Sequence, residues 1–216
     1  MKKAFIFDLD GVITDTAKYH YVAWKALGGK LGITIDEVFN EELKGISRLD
    51  SLELILNHGG QGANFTLAEK EALAVTKNQA YVELLVDLSP ADLLPGVADF
   101  LATAQAAQIP CGIASASKNA PMILEKLGVA DYFQIIVDPA SLSQGKPDPE
   151  IFLKAADALK VSPAEAVGFE DAQAGVDALK AAGIYAVGIE TEQPLQGTDI
   201  SVGDLSQLNF QELINQ

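Results

Sequence analysis

The chain has 216 residues, 49% hydrophobic and 21% charged, with a formal net charge of −15. That length suits one large or two small domains, and the composition excludes a disordered chain. The acidic excess argues against nucleic-acid binding, which needs a basic face, and no charge-free apolar run is long enough to cross a bilayer.

The opening Met1-Lys2-Lys3 runs into a short apolar stretch that Asp8 and Asp10 break at once, which is not the pattern of an export signal. With a single cysteine, Cys111, the expectation is a reducing cytoplasm. Cys111 lies in an apolar run and is expected in the core.

Residues 3–9 read as a buried strand that ends in carboxylates: Phe5-Ile6-Phe7-Asp8-Leu9-Asp10-Gly11. Residues 15–87 then read as helical. His20, Trp24, Leu27 and Leu31 recur at helical spacing, with Asp15 or Thr14 as the N-cap, and Gly28-Gly29 weakens that helix. Leu49, Leu52, Leu54, Ile55 and Leu56 mark a second helix. Residues 66–86 form a third, opened by the capping box Thr66-x-x-Glu69. No strand is expected in this block.

After Pro90 and Pro95-Gly96 the pattern becomes strand–helix alternation. Strands are expected at 109–114, 133–137, 166–169 and 184–189, and helices at 120–127, 149–159 and 172–182, with Gly128 and Gly183 as C-cap glycines. Alternation of this kind builds a parallel sheet covered by helices on both faces. The predicted architecture is an α/β, doubly wound, Rossmann-like core (1–14 and 93–216) with an inserted α-helical cap (15–92). The linkers near 14–16 and 89–95 are expected to act as hinges that let the cap close over a site.

The expected strand ends carry polar groups in a definite order: Asp8 and Asp10, then Ser115, then Lys146 in Gly145-Lys146-Pro147-Asp148-Pro149, then Glu170-Asp171. Each has a plain local reading: a turn, a turn cap, a solvated loop lysine, a helix N-cap. Together they suggest chemistry. Carboxylates at i and i+2 share a face of an extended chain, and two of them repel unless a cation or a proton lies between. Arg48 is the one arginine among 15 basic residues, and its planar fork can grip phosphate bidentately as lysine cannot. On so acidic a chain, a phosphate site must be a local cationic cluster.

As a set, these motifs resemble the haloacid dehalogenase superfamily of phosphotransferases. Asp8-x-Asp10-Gly11, Ser115, Lys146 and Glu170-Asp171 match its four motifs in order. Asp8 to Ala17 followed by His20, the stretch Leu43-Lys44-Gly45-Ile46-Ser47-Arg48, and Ser115-Ala116-Ser117-Lys118-Asn119 are similar to the β-phosphoglucomutase branch. The resemblance implies Mg²⁺-dependent interconversion of β-glucose 1-phosphate and glucose 6-phosphate through an aspartyl phosphate, with β-glucose 1,6-bisphosphate as intermediate and primer.

By the same resemblance Asp8 is the nucleophile and Asp10 the general acid/base, while Ser115 and Lys146 hold the transferring phosphoryl group. Mg²⁺ lies among Asp8, the Asp10 main-chain carbonyl, Glu170 and Asp171. Substrate contacts fall to Asp8, Asp10, Gly45, Ile46, Arg48, Ser117, Lys118 and Asn119, with Thr16 and His20 as further candidates; His20 is either an ordinary core or hinge histidine or a residue that couples closure to ligand binding, and Lys44 and Lys77 either join that network or are ordinary cap lysines. The implied partners are small sugar phosphates, and the implied state is a monomer. Two rivals remain: a Mg²⁺-dependent sugar-phosphate phosphatase on the same scaffold, and a binding module that has kept only the fold.

Overall fold

Four consecutive apolar residues, Ala4–Phe7, form the first strand, β1, and all four are buried. Alternation along the strand gives the core two chemically different faces. Ala4 and Ile6 join one aliphatic cluster with Phe152, Leu179 and Ile184. Phe5 and Phe7 face a set of rings, Phe100, Phe133, Phe169 and Phe210, with centroids 4.4 to 6.0 Å from theirs.

The computed structural model describes residues 1–190 and 194–216. After β1 the chain forms helices α1 (Ala17–Lys30), α2 (Glu37–Glu41), α3 (Arg48–His58), α4 (Leu67–Leu84) and α5 (Val97–Ala106). It continues through β2 (Cys111–Ile113), α6 (Ala120–Lys126), β3 (Phe133–Ile136), α7 (Glu150–Ala158), β4 (Ala166–Glu170), α8 (Gln173–Ala182), β5 (Tyr185–Ile189), β6 (Ile200–Val202) and α9 (Phe210–Ile214). The six strands make one sheet in the order β3-β2-β1-β4-β5-β6, and every pairing is parallel. The chain winds outward from β1 on one side and returns to start the other side at β4. That reversal is where doubly wound sheets open a crevice for ligands beyond their strand ends.

The described chain falls into two compact units, Met1–Asp15 with Leu88–Gln216, and Thr16–Asp87. In the first, α7 and α8 pack on the aliphatic face of the sheet, while Phe100 of α5 and Phe210 of α9 supply rings to the aromatic face. Cys111 is buried there, as expected, and burial pushes its thiol up to about 12.

The second unit is the all-helical insert. Its core is Trp24, Leu27, Ile33, Ile35, Phe39, Leu52, Ile55 and their neighbours. Helix starts are fixed by side chains: Asp36 accepts from the Phe39 N–H at 2.8 Å, Ser47 from Asp50 at 3.2 Å, and Thr66 forms its capping box with Glu69. The first helix departs from the expectation. It is preceded by Thr16, not Asp15 or Thr14, and no side chain caps it, because the Thr16 hydroxyl pairs with Tyr81 Oη at 2.9 Å and the Thr14 hydroxyl with the Asp92 carbonyl at 2.8 Å.

Gly28 and Gly29 both stay inside α1. A Cβ at Gly28 would come within 2.8 Å of the Ile33 carbonyl oxygen, so the chain can fold back there only because that atom is missing. Elements α2, α5, β6 and α9 were not expected. Among the described residues no helix is long and apolar enough to cross a membrane.

Candidate active site

Register brings the motif residues to one edge of the sheet. Phe7 pairs with Ile113 of β2 and with Phe169 of β4, so the three strands end level. The Asp8 N–H donates to the Phe169 carbonyl at 2.9 Å, and the Ala114 N–H to the Phe7 carbonyl at 2.8 Å. Asp8, Ser115 and Glu170 therefore emerge side by side from adjacent strands, and all three are buried.

Lys146 reaches the same point by another route. Sequence reading sets it at a strand end, but β3 stops ten residues earlier, at Ile136, and Lys146 lies on the loop before α7. That loop turns where the Asp148 N–H bonds the Gly145 carbonyl at 3.0 Å, and the Lys146–Pro147 peptide is cis. The ammonium donates to Asp8 Oδ1 at 2.6 Å and to Glu170 Oε1, and it lies 5.0 Å from the centroid of the Phe152 ring. Burial alone would lower the Lys146 pKa; the two carboxylates outweigh burial and hold it above its ordinary value. Burial pushes Glu170 up, with Lys146 opposing and the Asp8 charge adding to the rise. Lys146 at one oxygen and the Asp171 and Ala172 N–H groups at the other keep the Glu170 carboxylate in place.

Two glycines make room for acids. A Cβ on Gly11 would overlap the Asp171 carboxylate, and a Cβ on Gly175 would overlap that of Glu170. Gly11 also has φ +74°, which L side chains rarely adopt. Gly11 belongs to the expected motif. Gly175 and Phe152 were missed; a glycine five residues beyond Glu170, within α8, was the available signal for the first.

Ser115 accepts from the Ser117 N–H at 3.1 Å, and Ser117 accepts from Asn119 at 3.3 Å, so this stretch is a chain of serine-stapled turns leading into α6. Lys118 is exposed on it, while Ser117 and Asn119 are half-buried.

The donor chemistry suits a hard divalent cation: carboxylate oxygens from Asp8, Glu170 and Asp171, with Asp171 brought against the Asp10–Gly11 loop. Among the described residues, no three acidic, histidine or cysteine side chains close into a ready cage. The Lys146 ammonium occupies the point where Asp8 and Glu170 meet.

The helical unit holds the other expected residues. His20 Nδ1 lies 2.5 Å from Lys77 Nζ, and its ring centroid is 3.9 Å from that of Tyr81. Lys77 is 1% exposed and lies over the rings of Trp24 and Tyr81, at 4.5 and 4.9 Å. Burial, then the charges of Lys77 and Arg48, hold His20 well below its ordinary value, so it is neutral at physiological pH. Arg48 is the first residue of α3, half-buried, just after Gly45 and Ile46 and the Ser47 cap. Lys44 pairs with Glu41 at 2.8 Å.

Residues 2–183 match the model of the haloacid dehalogenase-like hydrolases. The chain is 50% identical to a β-phosphoglucomutase of Bacillus subtilis, over 98% of this chain and 93% of that protein. It is 28% identical to a validoxylamine A 7'-phosphate phosphatase of Streptomyces hygroscopicus, over 97% of each. Among solved structures, a β-phosphoglucomutase of Clostridium difficile superposes with a TM-score of 0.96 at 45% identity, covering all of this chain and 96% of that one. A strand tip that ends in a buried carboxylate, a buried lysine and a following acidic pair, carried on this sheet with a helical insert, agree with that match: the chain belongs to the haloacid dehalogenase-like hydrolase family.

Proposed function

We propose that this protein interconverts β-glucose 1-phosphate and glucose 6-phosphate by way of a phosphorylated Asp8 and β-glucose 1,6-bisphosphate. The observation that carries the reading is the buried Asp8–Lys146–Glu170 contact at the sheet edge, in a chain half identical to a β-phosphoglucomutase over nearly its whole length.

An oxygen of Asp8 attacks phosphorus, the bond from phosphorus to the sugar oxygen breaks, and Asp10 gives that oxygen a proton. In the companion step Asp10 takes the proton from the 6-hydroxyl of β-glucose 1-phosphate, which attacks the aspartyl phosphate, frees Asp8 and becomes the bisphosphate; once the bisphosphate has turned round, Asp8 takes its 1-phosphate and glucose 6-phosphate leaves. Lys146 and Ser115 hold the phosphoryl oxygens where negative charge is spread. Burial of Lys146 strengthens its interaction with that charge. Asp8, the Asp10 carbonyl, Glu170 and Asp171 would hold Mg²⁺, which when bound offsets the repulsion between carboxylate and phosphate. Arg48, Gly45, Ile46, Ser117, Lys118 and Asn119 are the candidates for the second phosphate and the sugar, with Thr16 and His20 supporting them. The reading carries with it a cytoplasmic setting and a monomeric state.

Incubation with Mg²⁺, β-glucose 1-phosphate and a trace of the bisphosphate tests this, followed by ³¹P NMR. Accumulation of glucose 6-phosphate is the expected outcome. Free glucose with inorganic phosphate would instead make the protein a phosphatase, the activity named for its Streptomyces relative.

A further inference from the structure

The loop that carries Asp10 closes on Thr14. The Thr14 carbonyl accepts from the Gly11 N–H at 2.9 Å, and the Thr14 N–H reaches the Leu9 carbonyl at 3.2 Å. Asp10 and Thr14 form a bridge across that loop. Thr14 is 1% exposed, so its hydroxyl needs a protein partner.

That partner lies far along the chain. Thr14 Oγ1 donates to the main-chain carbonyl of Asp92 at 2.8 Å, across 78 residues. Thr14 also forms an antiparallel bridge with Leu93, and the Leu94 N–H donates to the Ile13 carbonyl at 3.0 Å. Asp92 is itself held, since its carboxylate accepts from the Ser89 N–H at 2.9 Å and the Ser89 hydroxyl at 3.1 Å. One side chain thus joins the Asp10 loop to the segment 89–94, where the chain re-enters the core unit.

We propose that Thr14 is a positioning residue for Asp10: its hydroxyl fixes the Asp10 loop against residues 92–94 and so sets the reach of the acid toward the departing oxygen. The proposal rests on the reading of Asp10 as general acid/base. Valine matches threonine in shape and keeps every backbone bond, so the hydroxyl is the only thing Thr14→Val removes.

Leaving-group chemistry separates positioning from mere support. A sugar oxygen departs poorly without a proton, whereas acetyl phosphate releases acetate unaided. A misplaced Asp10 therefore slows phosphorylation of Asp8 by a sugar phosphate and spares phosphorylation by acetyl phosphate.

Single-turnover phosphorylation of Asp8 is measured with both donors in the Mg²⁺-loaded full chain. Thr14→Val is expected to slow transfer from β-glucose 1,6-bisphosphate by about tenfold to a hundredfold, and from acetyl phosphate by less than about twofold. Thr14→Ser, which keeps the hydroxyl, is expected to stay close to the parent with both. Should Thr14→Val not fold, Asp92→Ala, which loosens the 89–92 turn and leaves the carbonyl in place, is expected to show the same selectivity at about threefold. Equal slowing with both donors, or no slowing with either, overturns the proposal. If the parent protein hydrolyses sugar phosphate without making glucose 6-phosphate, the mutase reading fails, but the donor comparison still decides the role of Thr14.

Discussion

Lys146 in the core unit and Lys77 in the helical unit are 5% and 1% exposed, yet their surroundings differ. Lys146 contacts two carboxylates, delivered by adjacent strand tips, and one aromatic ring. Lys77 lies over two aromatic rings and against an imidazole nitrogen. The first cation is fixed by opposite charge, and its removal strands buried anions. The second lies among rings supplied by the helices, beside the His20 imidazole. The lesson is that the two buried ammonium groups keep different neighbours, so the two regions answer to different perturbations.

The largest effect is expected from breaking the charge-held side. With metal chelated, Lys146→Met leaves Asp8 and Glu170 buried and facing each other, and urea denaturation is expected to show a loss of about 3–5 kcal/mol. A loss under about 1 kcal/mol, the scale of an exposed ion pair, would mean that solvent or rearrangement already covers those charges.

Packing on the other side is tested at Gly28. Alanine there meets the Ile33 carbonyl and Ile35 Cδ1 within 3 Å, so Gly28→Ala is expected to cost about 1–3 kcal/mol. A milder lever is pH. Because His20 is held below its ordinary value, the unfolded chain binds a proton that the folded chain refuses. Stability therefore falls as pH drops below the unfolded value of about 6.5, by at most about 1.4 kcal/mol per pH unit. His20 as a residue is half-buried, so solvent screening reduces the effect. Thermal unfolding of the parent and of His20→Asn between neutral and mildly acidic pH checks it: if the two curves run parallel, the imidazole is not the titrating group. Gly29, with nothing within 4 Å of a built Cβ, gives the smallest change, a gain of about 0.5–1 kcal/mol on substitution by alanine.

What could be read beforehand was what local pattern encodes. Phe5 to Asp10 announces a buried strand with acids at its tip, and Thr66 with Glu69 announces a helix start. Residues 166–170 show a short apolar run ending in an acid. Helices α2 and α9, of five residues each, and the three-residue edge strand β6 are too short for a periodic signal. Helix α5 did carry one, with Val97, Phe100, Leu101 and Ala104 all buried.

At the site, the acids and Ser115 were legible because each lies at a strand end or within three residues of one. Lys146 was legible as a residue but not as a partner of Glu170, because a loop with no periodic pattern brings the two together across 24 positions. The Thr14–Asp92 bond was equally silent, since a hydroxyl that meets a carbonyl 78 residues away leaves no trace in either neighbourhood.

Cys111 gives the molecule a reporter of its own. It is the chain's one cysteine, sits on β2 between β1 and β3, and has a thiol pushed up to about 12. Alkylating reagents attack the thiolate, so the intact sheet is silent toward them and each modified molecule records one opening of its interior. Timed labelling of the unaltered protein, with and without sugar phosphate, would then act as a clock for how often the fold comes apart at its centre.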